Sequence, residues 1–144
     1  VFDACIYAKS KLNFKPDIVL FINSMAPCIS KDYIQKALDT LVLFNTDSVI
    51  SVYEDLDLHY RHTHSGLEKI SKRMHHQLRI YRDSLLVDNR CVRVAWFKKI
   101  RKNNMLGKKI GYCTMKRSES INIKNDYDIW LTKKYINKRD KIKQ

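Results

Sequence analysis

The chain has 144 residues, 44% of them hydrophobic and 30% charged, which fits one globular domain or a large part of one with a real core. No apolar run approaches the roughly 18 residues that span a bilayer, and no signal-peptide pattern opens the sequence, so a membrane partner is not expected. The net charge of +13, from 28 Lys+Arg against 15 Asp+Glu, attracts polyanions. Enrichment in Ile, Asn and Tyr beside Lys is also what A/T-biased codons produce, so nucleic acid is not the expected partner.

Along the chain, residues 3–12 read as a short helix, closed by Lys15-Pro16. Residues 17–22 (D-I-V-L-F-I) form a short, nearly continuous apolar run, the signature of a strand buried on both faces as in a parallel sheet. A loop with Asn23, Ser24 and Pro27 follows. Ser30 then caps a helix to about Asn45, with Ile34, Ala37, Leu38 and Leu41 on one face. Residues 47–53 return as a second strand, completing a βαβ unit.

Residues 54–82 break the pattern. They are rich in His, Arg and Lys, with a short helix expected around Leu67, Ile70 and Met74, and they read as an excursion from the sheet. Residues 84–97 carry two β-rich stretches around Asp88-Asn89. A basic helical turn is expected at 98–104, a strand at 108–115 and an extended piece at 120–123. Asn125 or Asp126 starts a closing helix whose apolar stripe is Tyr127, Trp130, Leu131 and Tyr135. The basic tail, 137–144, is expected to fray.

The order of these pieces resembles the C-terminal half of the acylneuraminate (CMP-sialic acid-type) cytidylyltransferase family. Five segments carry the likeness. They are the buried strand leading to Met25-Ala26-Pro27; the S-V-x-S-V strand, here Ser48-Val49-Ile50-Ser51-Val52; and the excursion with a Gln that Gln77 matches. The turn into a strand at Asp88-Asn89-Arg90 follows, and then the family's S-x-D-I-D-x-x-x-D segment, here running from Ser120 to Asp128.

The resemblance implies a GT-A-like, Rossmann-like α/β layered fold with a mainly parallel sheet, its N-terminal units missing. It also implies transfer of CMP from CTP to an acylated acidic sugar, with release of pyrophosphate. The implied substrate-binding residues are Asn23, Ser24, Gln77, Asn89 and Asn122, with Lys124 and Asp128 as catalytic candidates. The family's cofactor is Mg²⁺, but the two carboxylates that hold it are here Asn122 and Lys124, so no metal ligand is assigned. An amide is a weak Mg²⁺ ligand and an ammonium is none. The family's Gly/Ser/Arg/Lys-rich nucleotide loop has no counterpart, and the Gly of its turn is Arg90. The parent protein is therefore expected to be such an enzyme and this chain by itself inactive; the alternative is a non-catalytic dimerisation or regulatory relative, and after it a basic nucleic-acid-binding module. The excursion implies a homodimer.

Three rival readings come from the residues alone. Asp55, Asp57 and His59 alternate and could share a strand face, a donor set suited to a transition metal or to a plain polar rim. The basic groups at 98–102 and 133–139 could follow a phosphate backbone, but no helix-turn-helix, RNP-type or zinc-finger pattern accompanies them. Cys5, Cys28, Cys91 and Cys113 form no C-x-x-C pair and lie in apolar contexts. With no N-x-S/T acceptor, they point to a reducing, cytoplasmic compartment. Val1 in place of Met raises the expectation of a fragment.

Overall fold

The computed structural model describes residues 2–14, 16–70, 85–102 and 104–143. The elements run α1 (Phe2–Lys11), β1 (Ile18–Ile22), α2 (Lys31–Leu43), β2 (Ser48–Asp55), β3 (Tyr60–Thr63), β4 (Gly66–Lys69), β5 (Leu85–Trp96), β6 (Ile110–Thr114) and α3 (Asp126–Lys143). The chain is mixed α/β and divides into two compact units, Glu54–Val87 and the remainder.

The larger unit holds a four-stranded sheet in the order β1-β5-β2-β6. β1 pairs antiparallel with β5, from Ile18 opposite Trp96 to Ile22 opposite Val92. β2 pairs parallel with β6, from Ser48 opposite Ile110 to Val52 opposite Thr114. The N–H of Trp96 donates to the carbonyl of Asp47 at the start of β2 (3.2 Å). Further along β2, the N–H of Val92 donates to Ser51 Oγ (2.8 Å). β5 therefore runs backwards along β2. Three strands point one way with β5 reversed among them, and β2–β6 is the parallel neighbouring pair. The expected βαβ strands β1 and β2 point the same way but are separated by β5.

The core gathers Tyr33, Ala37 and Leu41 of α2, Val49 of β2, Cys91, Val92 and Val94 of β5, and Cys113 and Met115 at β6. α2 follows the 3.6-residue spacing of its apolar face, and Ser30 takes the extended conformation of an N-cap, without a side-chain cap bond. β1 departs from expectation. It lies at the end of the strand order, and Leu20, Phe21 and Ile22 are between 38% and 45% exposed. The apolar run, expected to be buried on both faces, lies at the sheet edge beside an open apolar groove of about 390 Å³ between α1 and β1.

Two polar hubs fix the ends of the sheet. Asp47, just before β2, accepts from Lys99 Nζ (2.8 Å) and from the N–H groups of Lys108 (2.9 Å) and Lys109 (3.2 Å). The bond from Lys99 and the two amides hold its carboxyl well below the ordinary range. Gly107 has φ +72°, and a Cβ there would lie 2.5 Å from that of Asp47, so the turn requires glycine.

The second hub is Glu119, in a 3-10 turn at Arg117–Glu119. Its carboxylate accepts from the hydroxyl of Tyr33 on α2 and from that of Tyr135 on α3 (2.7 Å). Burial works against the ionised Glu119, but the two phenol bonds and nearby Lys116 and Arg139 outweigh it and lower its pKa. Tyr135 is pushed up to about 12 by burial and by the same bond.

Two further expectations are corrected. β3 and β4 form an antiparallel hairpin where a helix around Leu67 is expected; Met74 of that expected helix lies outside the described residues. α3 is helical as far as Lys143. Within its expected apolar stripe, Tyr127 is 65% and Trp130 53% exposed, while Thr132 is buried.

Candidate polar ligand site

β1 delivers Asn23 to the carboxyl end of the sheet, the end at which open α/β sheets bind ligands. The Asn23 N–H donates to the carbonyl of Cys91 (3.0 Å), and its side-chain Oδ1 accepts from the N–H of Met25 (3.0 Å), closing an Asx turn. Its Nδ2 donates to Oδ1 of Asn122, 99 residues on (2.9 Å). The Asn122 Nδ2 donates in turn to the carbonyl of Asn89 (2.7 Å). The strap before α3 is held again by the Ile123 N–H on the carbonyl of Met25 (2.8 Å).

Asn89 is buried within β5. Arg90 has φ +56°, an uncommon conformation for a non-glycine residue, and Asp88 Oδ1 accepts its N–H (2.8 Å). Asn89 Oδ1 accepts from Ser51 Oγ (2.5 Å) and from the N–H of Cys91 (3.1 Å). Its Nδ2 is buried with no hydrogen-bond partner among the described residues. A donor left so is costly, about 1–3 kcal/mol.

Asn23, Asn89 and Asn122, chosen from three distant segments, thus form one hydrogen-bonded cluster. Ser51 completes it and was not singled out from the sequence; its place in the S-V-x-S-V strand was the available signal. Ser24 is exposed beside Asn23. Lys124 is exposed two residues beyond Asn122, and its N–H donates to Asp128 Oδ2 (2.9 Å), while the Asp128 N–H donates to Asn125 Oδ1 (2.9 Å). These two bonds cap the start of α3, so Asp128 has a structural task there. Gln77 lies outside the described residues.

The donor chemistry does not fit Mg²⁺. Asn122 spends its oxygen on Asn23, Lys124 is a cation, and Asp128 caps a helix. Among the described residues no group of three or more His, Cys, Asp or Glu side chains could hold a metal ion. In the Asp55–Asp57–His59 candidate, His59 Nε2 stands 3.6 Å from Asp55 Oδ2, and Asp55 Oδ1 accepts the Asp57 N–H (2.9 Å). Burial raises the thiols of Cys28 and Cys91, the latter to about 11, which leaves them protonated and unsuited to nucleophilic work. In the basic segment 98–102, Lys99 is taken by Asp47, and Arg101 donates to the carbonyls of Lys98 (2.8 Å) and Ile100 (3.0 Å).

No protein-family model matches the chain, and no curated protein matches it at a significant level.

Proposed function

We propose that the chain is a nucleotidyltransferase-like domain of the GT-A type, related to enzymes that transfer CMP from CTP to an acylated acidic sugar. It binds such a ligand at the Asn23–Asn122–Asn89 cluster and performs no Mg²⁺-dependent transfer by itself. The observation that carries this reading is the convergence of those three residues. They were selected from separate segments by the resemblance alone, and they meet beyond the carboxyl end of β1. Asn23 and Asn122, held on Asn89, fix the loop and the strap. Ser24 adds a hydroxyl, and Lys124 neutralises phosphate charge.

A non-catalytic role is favoured by one feature. Asn122 replaces a carboxylate, and its amide both donates and accepts within the protein, a framework use that Asp could not reproduce because it cannot donate to Asn89. Calorimetric titration of CTP, CMP and an N-acylneuraminic acid into the chain tests the reading. Binding of at least one, weakened about fivefold or more by Lys124→Ala or Ser24→Ala, is expected, with no pyrophosphate released in Mg²⁺. Absence of binding to a chain shown folded by circular dichroism, or affinities untouched by both variants, would overturn it.

A further inference from the structure

The outer face of α3 changes character along its length. The exposed side chains Tyr127 and Trp130 lie one turn apart and stack on each other, with ring centroids 5.8 Å apart and planes at 28°. The same face continues as Lys133, Lys134, Lys138 and Lys141, all exposed. Lys134 Nζ stands 6.0 Å from the centre of the Trp130 ring, joining the aromatic and basic parts. From Tyr127 to Lys141 the stripe is about 21 Å long at the helical rise. The opposite face, with Asp128, Thr132, Tyr135 and Arg139, is buried or half-buried.

Burial does not explain two exposed aromatic rings, and the four lysines continue the +13 excess of the chain onto one surface. A partner for this face needs flat groups for the rings and a row of negative charges, spaced along one strand, for the lysines. We propose that the outer face of α3 binds single-stranded nucleic acid, with bases stacking on Tyr127 and Trp130 and the backbone following Lys133, Lys134, Lys138 and Lys141. A duplex keeps its bases stacked inside and offers the rings nothing. An anionic membrane surface needs an apolar face along the helix, whereas here the apolar groups occupy the first two turns and the rest is basic. An acidic polypeptide would match the lysines but not the rings.

The test is fluorescence anisotropy with the full chain and labelled 15-nucleotide oligo-dT and oligo-U. A duplex of the same length, heparin, polyglutamate and vesicles with 30% phosphatidylserine serve as competitors. Single strands are expected to bind best. Four lysines on a single strand give a log–log salt slope of about −2.8, which is about 50-fold weaker binding from 50 to 200 mM salt. Trp130→Ala is expected to weaken single-strand binding about tenfold or more without changing the salt slope, and Lys134→Ala to make the slope shallower by about 0.7. Both positions are exposed, so an unchanged melting temperature shows that the fold survives. Tighter binding to the duplex, heparin, polyglutamate or vesicles, or a Trp130→Ala variant that binds as the parent does, would overturn the proposal.

Discussion

Glu119 ties α2 to α3 through one carboxylate, and its removal measures how much of the fold hangs on that tie. In Glu119→Ala, Tyr135 loses its acceptor, and Tyr33, whose hydroxyl also accepts the Lys116 N–H (3.3 Å), loses its own. Hydrogen bonds to a charged acceptor contribute about 1.5–3 kcal/mol each when buried. Glu119 is only half-buried, so the pair together is worth about 2–3 kcal/mol. For a chain of this size that corresponds to a fall of about 5–10 °C in melting temperature.

The pH dependence gives an independent check. Glu119 is lowered in the folded chain, so its stabilisation is full above its unfolded pKa near 4.5 and is lost as pH falls through the lower folded value. Tyr135 is raised to about 12, so its contribution is full below its unfolded value of 10.0 and is lost as pH rises from there to about 12. Thermal melts by circular dichroism from pH 3 to 11 should show both limbs in the parent, and Glu119→Gln should shrink the acid limb, leaving the part that the lowered Asp47 carboxyl contributes. An Ala variant that loses less than about 1 kcal/mol, or a Gln variant with the parent's acid limb, would refute the clamp.

Gly107→Ala should destabilise the chain by about 1–2 kcal/mol or more in urea unfolding, because φ +72° suits glycine and the new methyl meets the Asp47 side chain. Arg90→Gly should stabilise by about 0.5–1 kcal/mol by relieving a positive φ, read in the same assay. The expected homodimer through the excursion is tested by sedimentation. Leu67 is 73% exposed on β4, so Leu67→Ser should weaken self-association, and raised salt should strengthen it by screening the basic arm.

Much of the framework was legible locally. Pro16 before an apolar run, Ser30 before an amphipathic repeat, and Asn125-Asp126 before another helix marked β1, α2 and α3, because strand and helix starts depend on neighbouring residues. The hairpin was not legible in the apolar spacing: Leu67, Ile70 and Met74 stand at i, i+3 and i+7, as on a helix, whereas Gly66 at φ +117° makes the turn. The asparagine cluster was legible only through the order of its segments, since nothing near Asn23 in sequence announces a partner 99 residues away.

The sequence alone determined the identity and rough limits of the main elements, through caps, breakers and apolar spacing. The tertiary structure decided which neighbours they have. Strand pairing is a long-range choice, so the insertion of β5 between β1 and β2, and with it the bared edge of β1, could not be read from either strand. The face of α3 was decided in the same way. Tyr127, Trp130, Leu131 and Tyr135 span an arc of about 140° on a helix of 3.6 residues per turn. The bond from Tyr135 to Glu119 and the burial of Thr132 turn one side of that arc inward. Tyr127 and Trp130 are left in solvent because the helix has room for only one buried face.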